Sequence, residues 1–337
     1  MRAAVLREPG GVVLEERPIP RPGPGQVLVR VRAVGVCGSD THYYEQGRIG
    51  RFVVEAPLVL GHEAAGEVTD LGPGVTRLVV GERVSIEPGV PDLTCGQCLA
   101  GRYNLCPSMR FFGTPPVDGA FAEYVVVHEA FAHPVPSSVG DDAAALLEPL
   151  SVGIWACMKA RVTAGSRVLI TGAGPIGLVS VQAALAFGAT EVVVSDLNPV
   201  RLALAKELGA TTILDARETS VTDLDRPPEV LLECSGHPPA IGQAIRALDR
   251  AGRAVLVGMG GDDILVPLSV IQEREIELTG TFRYAGTWPR AIALIATGRI
   301  DLGRLVTGTY RLDQAEQALT AGRRDPHSVK VVVHPQT

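Results

Sequence analysis

Ten residues, Val168-Leu169-Ile170-Thr171-Gly172-Ala173-Gly174-Pro175-Ile176-Gly177, constrain the fold of this chain more than any other stretch. An apolar run ends in a turn with glycine at three set positions and passes straight into a helical pattern. Each glycine has its own task. Gly172 permits the tight turn, Gly174 lets backbone approach a pyrophosphate, and Gly177 lets the helix lie against the strand. The helix opens at Pro175 and Ile176, where unpaired N–H groups and the helix dipole favour an anion. Asp196 follows Gly177 by 19 residues and closes the next apolar run. A carboxylate there can hold both ribose hydroxyls and would repel a 2′-phosphate. Leu197, not arginine, comes next, so the reading is NAD and not NADP. Arg201 either stacks on the adenine or is a solvated helix residue.

The same texture continues downstream. Apolar runs at 168–171, 191–195, 211–214, 229–234, 254–258 and 276–280 alternate with helical segments such as 176–187 and 198–208. Runs apolar on both faces suit a parallel sheet covered by helices on both sides. Six of them predict a doubly wound, six-stranded dinucleotide fold over 151–281. Residues 1–150 read differently, as short β-runs (27–31, 123–127) split by glycine and proline clusters, the texture of an irregular barrel. The tail from 282 carries two helical patterns, 288–297 and 313–321 with Asp313 near the N-cap, and a strand at 329–333. It is expected to rejoin the first part, which makes 1–150 with 282–337 one domain and 151–281 an insertion. The class is therefore α/β with a β-rich part.

Bulk properties narrow the function. A chain of 337 residues that is 46% hydrophobic fills two cores. A net charge of -6 and only 4% aromatic residues argue against nucleic-acid binding. No apolar stretch suits a signal peptide or a membrane span. A cytoplasmic protein is expected, with its six cysteines serving as ligands or core thiols and not as disulfides. Lysine occurs only at Lys159, Lys206 and Lys330, a bias read as genome composition or heat tolerance.

Far upstream of the glycine turn stand Cys37-Gly38-Ser39-Asp40-Thr41-His42 and Gly61-His62-Glu63. Cys37 follows an apolar run in what reads as a glycine-flanked loop. Cys37, His62 and Glu63 offer sulfur, nitrogen and oxygen, the donors of a tetrahedral zinc site that keeps one position open. Taken singly they read as a buried thiol, a core imidazole and a surface carboxylate. Taken with the dinucleotide turn, a metal and a nicotinamide in one chain point to alcohol oxidation. The metal would act as a Lewis acid on a hydroxyl and the dinucleotide would accept hydride.

These strings resemble the zinc-containing medium-chain alcohol dehydrogenases. Tyr43 to Gly50, Gly101 to Leu105, Glu148 to Gly153 and Phe282-Arg283-Tyr284 are similar to the sorbitol, or polyol, dehydrogenases within them. The resemblance covers nearly the whole chain. It implies a GroES-like catalytic barrel with an inserted Rossmann domain, a polyol as small-molecule substrate, NAD, catalytic zinc and a homotetramer. It implies that Cys37, His62 and Glu63 bind zinc, with Glu148 beside the metal directly or through water. Ser39 would pass on the alcohol proton and His42 carry it to solvent, while Asp40 orients His62. Arg283, Tyr284, Tyr43 and Thr114 would line the polyol pocket; for Tyr43 and Thr114, ordinary packing is the competing reading.

Cys95, Cys98 and Cys106 form a second cluster. The family's structural zinc lobe has a fourth cysteine where this chain has Asp92, and three thiolates with one carboxylate can still close a tetrahedron. The other reading is a reduced loop with three idle thiols. Cys157 and Cys234 read as core thiols, and His128, His133, His237, His327 and His334 as loop or surface residues. Arg323-Arg324-Asp325 reads as a solvated turn. Two alternatives to polyol oxidation stand beside it: oxidation of another secondary alcohol, such as 2,3-butanediol or threonine, and a non-catalytic NAD-binding member.

Overall fold

The structure is a computed structural model that describes residues 1–261 and 263–337. It divides into two compact units. One holds Met1–Glu148, Trp288–Ala296 and Leu302–Thr337; the other holds Pro149–Thr287 and Thr297–Asp301. Phe282 to Thr287 therefore lie with the second unit and not with the tail.

The first unit is built on one long strand. Strands β1 (Arg2–Glu8) and β2 (Gly11–Glu16) form an antiparallel pair. Strand β3 (Gln26–Gly35) then runs through the centre of a seven-stranded sheet. It pairs antiparallel with β4 (Glu63–Leu71), which pairs in turn with β5 (Arg83–Ile86). Its first half also meets β6 (Tyr124–His128), and β7 (Ala132–Pro134) closes on β5. Val27, Val29 and Val31 are fully buried on alternate positions, each such side chain stabilising by roughly 1.5–3 kcal/mol relative to exposure.

The chain turns from β3 straight into helix α1 (Gly38–Gln46), where a loop was expected. The helix has almost no apolar stripe, so periodicity does not announce it; its caps do. Cys37 is the N-cap, Asp40 accepts the Cys37 backbone N–H at 2.9 Å, and Gly47 ends the helix in the left-handed region.

In the second unit all six apolar runs are strands: β8 (Arg167–Thr171), β9 (Glu191–Asp196), β10 (Thr212–Asp215), β11 (Val230–Glu233), β12 (Arg253–Leu256) and β13 (Glu277–Gly280). They form one parallel sheet in the order β10-β9-β8-β11-β12-β13. The chain winds outward from β8 to β10, then returns to β11 on the other side of β8. Beyond the carboxyl ends of β8 and β11 lies the crevice where such sheets take ligands. Helices α2 (Pro175–Ala186), α3 (Pro199–Glu207) and α4 (Pro238–Ala247) each begin with proline, whose fixed φ suits a first turn.

The C-terminal segment adds α5 (Trp288–Ala296), strand β14 (Val306–Arg311), α6 (Ala315–Arg324) and β15 (Lys330–His334) to the first unit. Strand β15 joins the far end of β3, with Val332 opposite Gly35. Asp313 does not cap α6: a short 3-10 turn intervenes, and its carboxylate holds Arg311. Arg323 and Arg324 form the last turn of α6 and not a free turn, and Arg323 reaches Glu45. Among the described residues no helix is long and apolar enough to cross a membrane.

Candidate metal centre and dinucleotide pocket

The β3–β4 register builds the first site. Gly35 stands opposite Glu63 across the ladder, so Cys37, two residues past the end of β3, comes beside His62 and Glu63 at the start of β4. One donor atom from each of the three lies within 4.8 Å of the others. His62 and Glu63 are buried and Cys37 is half-buried. A Cβ at Gly35 would come 2.0 Å from Glu63 Oε2, so this position has to be glycine for the carboxylate to pass.

Asp40 fixes the imidazole's surroundings. Its carboxylate is fully buried, accepts the Cys37 and Gly61 backbone N–H groups at 2.9 and 3.0 Å, and lies 3.6 Å from His62 Nδ1. Burial alone would raise the Asp40 pKa, yet His62 and the two backbone donors outweigh it and hold the acid below its ordinary range. Burial likewise works against charge on His62, but Asp40 and Cys37 overcome it and draw the ring well above the usual histidine range. Asp40 and Cys37 thus favour positive charge at this ring. A divalent cation supplies it with the ring neutral, which is the state a ligand needs. Glu63 Oε2 is buried and has no hydrogen-bond partner among the described residues, and Cys37 is a free thiol. An orphaned carboxylate oxygen with sulfur and nitrogen donors in reach fits a metal.

One group here was missed. Lys330, on β15, is buried; its Nζ donates to Glu63 Oε1 and, at 2.8 Å, to the Val36 carbonyl. The lysine bias read as compositional hid a residue at the centre of the site. Phe111 was missed too; its ring lies 5.6 Å from that of His62.

The other expected residues fall in both units, with Ser39, His42, Tyr43, Thr114 and Glu148 in the first and Arg283 and Tyr284 in the second. Ser39 sits in the first turn of α1, and His42 is exposed on the same helix. Glu148 is buried in the first unit. Thr114 donates its N–H to the Phe111 carbonyl at 3.1 Å and lines a hollow with Phe52 and Phe111. Tyr43 is packed in the hydrophobic core of the first unit, the competing reading for that residue. Tyr284 is buried, and Arg283 has φ +55° with its guanidinium 4.8 Å over the Phe282 ring.

The second cluster also assembles. Donor atoms of Asp92, Cys95, Cys98 and Cys106 lie within 4.8 Å of one another. Cys95 caps a short helix at Gly96–Leu99, and its sulfur is 3.5 Å from that of Cys98. Asp92 Oδ1 accepts the Cys95 and Thr94 backbone N–H groups, each at 2.8 Å, and these donors hold the acid far below its ordinary range.

In the second unit the glycine turn lines a cavity of about 510 Å³ with Asp196, Leu197 and Arg201. Gly172 has φ +88°, and a Cβ on Gly177 would fall 1.8 Å from the Gly172 carbonyl oxygen. A Cβ on Gly174 would meet only open space, the space a phosphate would take. Asp196 accepts the Ala173 N–H of the turn through Oδ2 and the Asn198 N–H through Oδ1 at 2.7 Å. Cys234 and His237, read from sequence as a core thiol and a surface residue, both line the cavity. Cys157 is a core thiol, and burial pushes its pKa up to about 12. His133 is not a plain surface residue, since it bonds the buried Glu87 at 2.9 Å and stacks on Trp288. Beneath the cavity, buried Glu233 accepts the Thr171 hydroxyl and the Ser235 and Gly236 N–H groups. It ties the end of β8 to the turn after β11, and nothing in an apolar strand run signals that.

Known proteins are similar to this chain over most of its length. Residues 23–137 match the alcohol dehydrogenase GroES-like domain and residues 175–297 the zinc-binding dehydrogenase domain. The chain is 43% identical to the sorbitol dehydrogenase of Bacillus subtilis, over 99% of this chain and 97% of that one. Its fold is similar to L-idonate 5-dehydrogenase from Escherichia coli, with a TM-score of 0.93, 33% identity and coverage of 99% and 98%. It is similar also to 2R,3R-butanediol dehydrogenase from Bacillus subtilis, with a TM-score of 0.91, 31% identity and 99% of both chains covered.

Proposed function

The chain belongs to the zinc-containing medium-chain alcohol dehydrogenases, and on that premise we propose that it oxidises a secondary hydroxyl of a polyol of the sorbitol or xylitol kind to the ketose, with hydride passing to NAD. The observation that carries the reading is the Cys37–His62–Glu63 cluster with its partnerless buried oxygen. A non-catalytic family member would have no use for it.

Cys37, His62 and Glu63 would hold the catalytic zinc, with buried Glu148 beside it. Bound there, zinc supplies a Lewis acid for the substrate hydroxyl, and NAD in the glycine-turn cavity supplies the hydride acceptor. The protein's own share is placement and proton handling. Asp40 holds the His62 ring and the start of α1 together. Ser39 would take the hydroxyl proton, and exposed His42 would release it to water. Thr114, Arg283 and Tyr284 would line the polyol pocket with Tyr43, which also packs in the core of the first unit. Gly172, Gly174, Pro175, Ile176 and Gly177 would seat the pyrophosphate, Asp196 the ribose, and Arg201 the adenine.

Relative kcat/KM over alditols, 2,3-butanediol and threonine with NAD tests the assignment. An alditol is expected to exceed both of the others by about tenfold or more, a binding difference of roughly 1.4 kcal/mol. A higher value for threonine or butanediol than for every alditol would refute the polyol reading, and the butanediol dehydrogenase likeness makes that diol the sharper rival.

A second, structural zinc is assigned to Asp92, Cys95, Cys98 and Cys106. Asp92→Ala is expected to release it, lowering zinc content by about one ion per chain. The melting temperature should fall by about 3 °C, the shift that roughly 2 kcal/mol produces in a chain of this size. Turnover per remaining zinc should stay near that of the unaltered enzyme. Unchanged zinc content would return the lobe to three idle thiols.

The six free thiols suit a reducing compartment, and we place the enzyme in the cytoplasm. We also read it as a homotetramer. Strand β13 ends the parallel sheet, and Leu278 on it and Leu265 and Leu268 before it are exposed, an edge that a second copy would cover.

A further inference from the structure

Lys330 has two acceptors. Its ammonium donates to the carbonyl of Val36, next to Cys37, and to Oε1 of Glu63. The pair is almost wholly out of solvent, at 3% and 1% side-chain exposure. Oε2 of the same carboxylate, equally enclosed against Gly35, has no partner among the described residues. The two oxygens of one carboxylate are therefore chemically unequal.

We propose that Lys330 is a positioning residue: it holds Glu63 Oε1 and so presents Oε2 alone to the metal. This rests on the reading of Cys37, His62 and Glu63 as zinc ligands. A carboxylate with both oxygens free can grip a metal with both. Here that would add a fourth protein donor atom and fill the position that a catalytic zinc site keeps for substrate. An ammonium has donors and no acceptor, so it can hold one oxygen without competing for the ion. Because it also holds the Val36 carbonyl, it fixes the carboxylate relative to the strand end that carries Cys37. Hydrogen-bond partners of this kind orient metal ligands elsewhere.

The test is the cobalt(II)-exchanged enzyme compared with its Lys330→Met and Lys330→Arg variants. Visible bands absent from a Cys37→Ser control belong to this centre. The unaltered enzyme should show the intense d–d bands of a four-coordinate ion. Lys330→Met should keep the Cys37 charge-transfer band, lose d–d intensity as Glu63 becomes two-oxygen, and lose kcat by about 10–100-fold. Lys330→Arg should restore both. Unchanged d–d bands in Lys330→Met, whatever its activity, would overturn the inference and leave Lys330 as a buried counter-charge. If the unaltered enzyme itself shows no Cys37-dependent band, the ligand assignment fails instead. Where Lys330→Met does not fold, a crystal of the zinc-loaded unaltered chain decides. One Glu63 oxygen at about 2.0–2.2 Å from zinc, with Oε1 still on Lys330, supports the inference. Two oxygens at that distance, or Oε1 as the ligand, overturns it.

Discussion

His62→Ala is expected to lower kcat/KM for polyol oxidation by about 10³-fold or more while leaving NAD binding unchanged. The size follows from what the ligand set supplies. Polarising a hydroxyl oxygen is worth several kcal/mol to a charge-separating step, and roughly 4 kcal/mol is about three powers of ten in rate. Removing the ring takes one of three donors that lie within 4.8 Å, and it leaves the Asp40 carboxylate without its neighbour at 3.6 Å. The nucleotide cavity is lined by residues of the second unit, from Thr171 to Gln243, so NADH titration should give the affinity of the unaltered chain. Metal analysis should show about one zinc fewer per chain. An His62→Ala enzyme that kept its rate within tenfold would mean that the Lewis acid sits elsewhere or is not used.

The second unit was almost wholly legible in advance because its signals are local. A strand apolar on both faces, a glycine turn and a proline at the start of a helix lie within a few residues of one another. The six strands accordingly begin and end within two residues of the expected runs. The metal ligands could be named, but their meeting could not be derived from spacing, because the β3–β4 register brings them together. Lys330 lay beyond reach for the same reason: its partner is 267 residues away in sequence, and a lone lysine near the C-terminus carries no pattern. Helix α1 was missed because its caps, and not a stripe of apolar residues, make it a helix. Tyr43 points into the core because α1 turns that position inward, against the strands of the first unit.

The cofactor preference is expected to rest on one charge. Asp196→Asn should cut the enzyme's preference for NAD over NADP by about 10–100-fold, and Asp196→Ala should cut it further. The geometry separates two roles of this side chain. Its oxygens hold the Ala173 and Asn198 backbone N–H groups, which keeps the carboxylate at the cavity rim beside Leu197 and Arg201. From there it would accept from ribose hydroxyls and repel a 2′-phosphate. Two unit charges about 4 Å apart repel by about 1 kcal/mol in water and about 4 kcal/mol at an effective dielectric constant near 20, and a cavity rim lies between these limits, at the roughly 1.4–2.7 kcal/mol that a 10–100-fold exclusion of NADP requires. Discrimination of this kind acts against the wrong ligand and need not add affinity for the right one. Asparagine removes the charge and keeps one acceptor oxygen for the backbone, while its amide can still donate to a ribose hydroxyl, so kcat/KM should rise for NADP more than it falls for NAD. Alanine also removes the ribose hydrogen bonds, each worth about 1.5–3 kcal/mol when one partner is charged, so NAD should suffer as well. Adding Leu197→Arg should complete the inversion by giving the 2′-phosphate a partner. Zinc content and the polyol KM at saturating cofactor should not move. Full retention of NAD preference in Asp196→Asn would show that the shape of the cavity beside Leu197, and not the carboxylate's charge, excludes the phosphate.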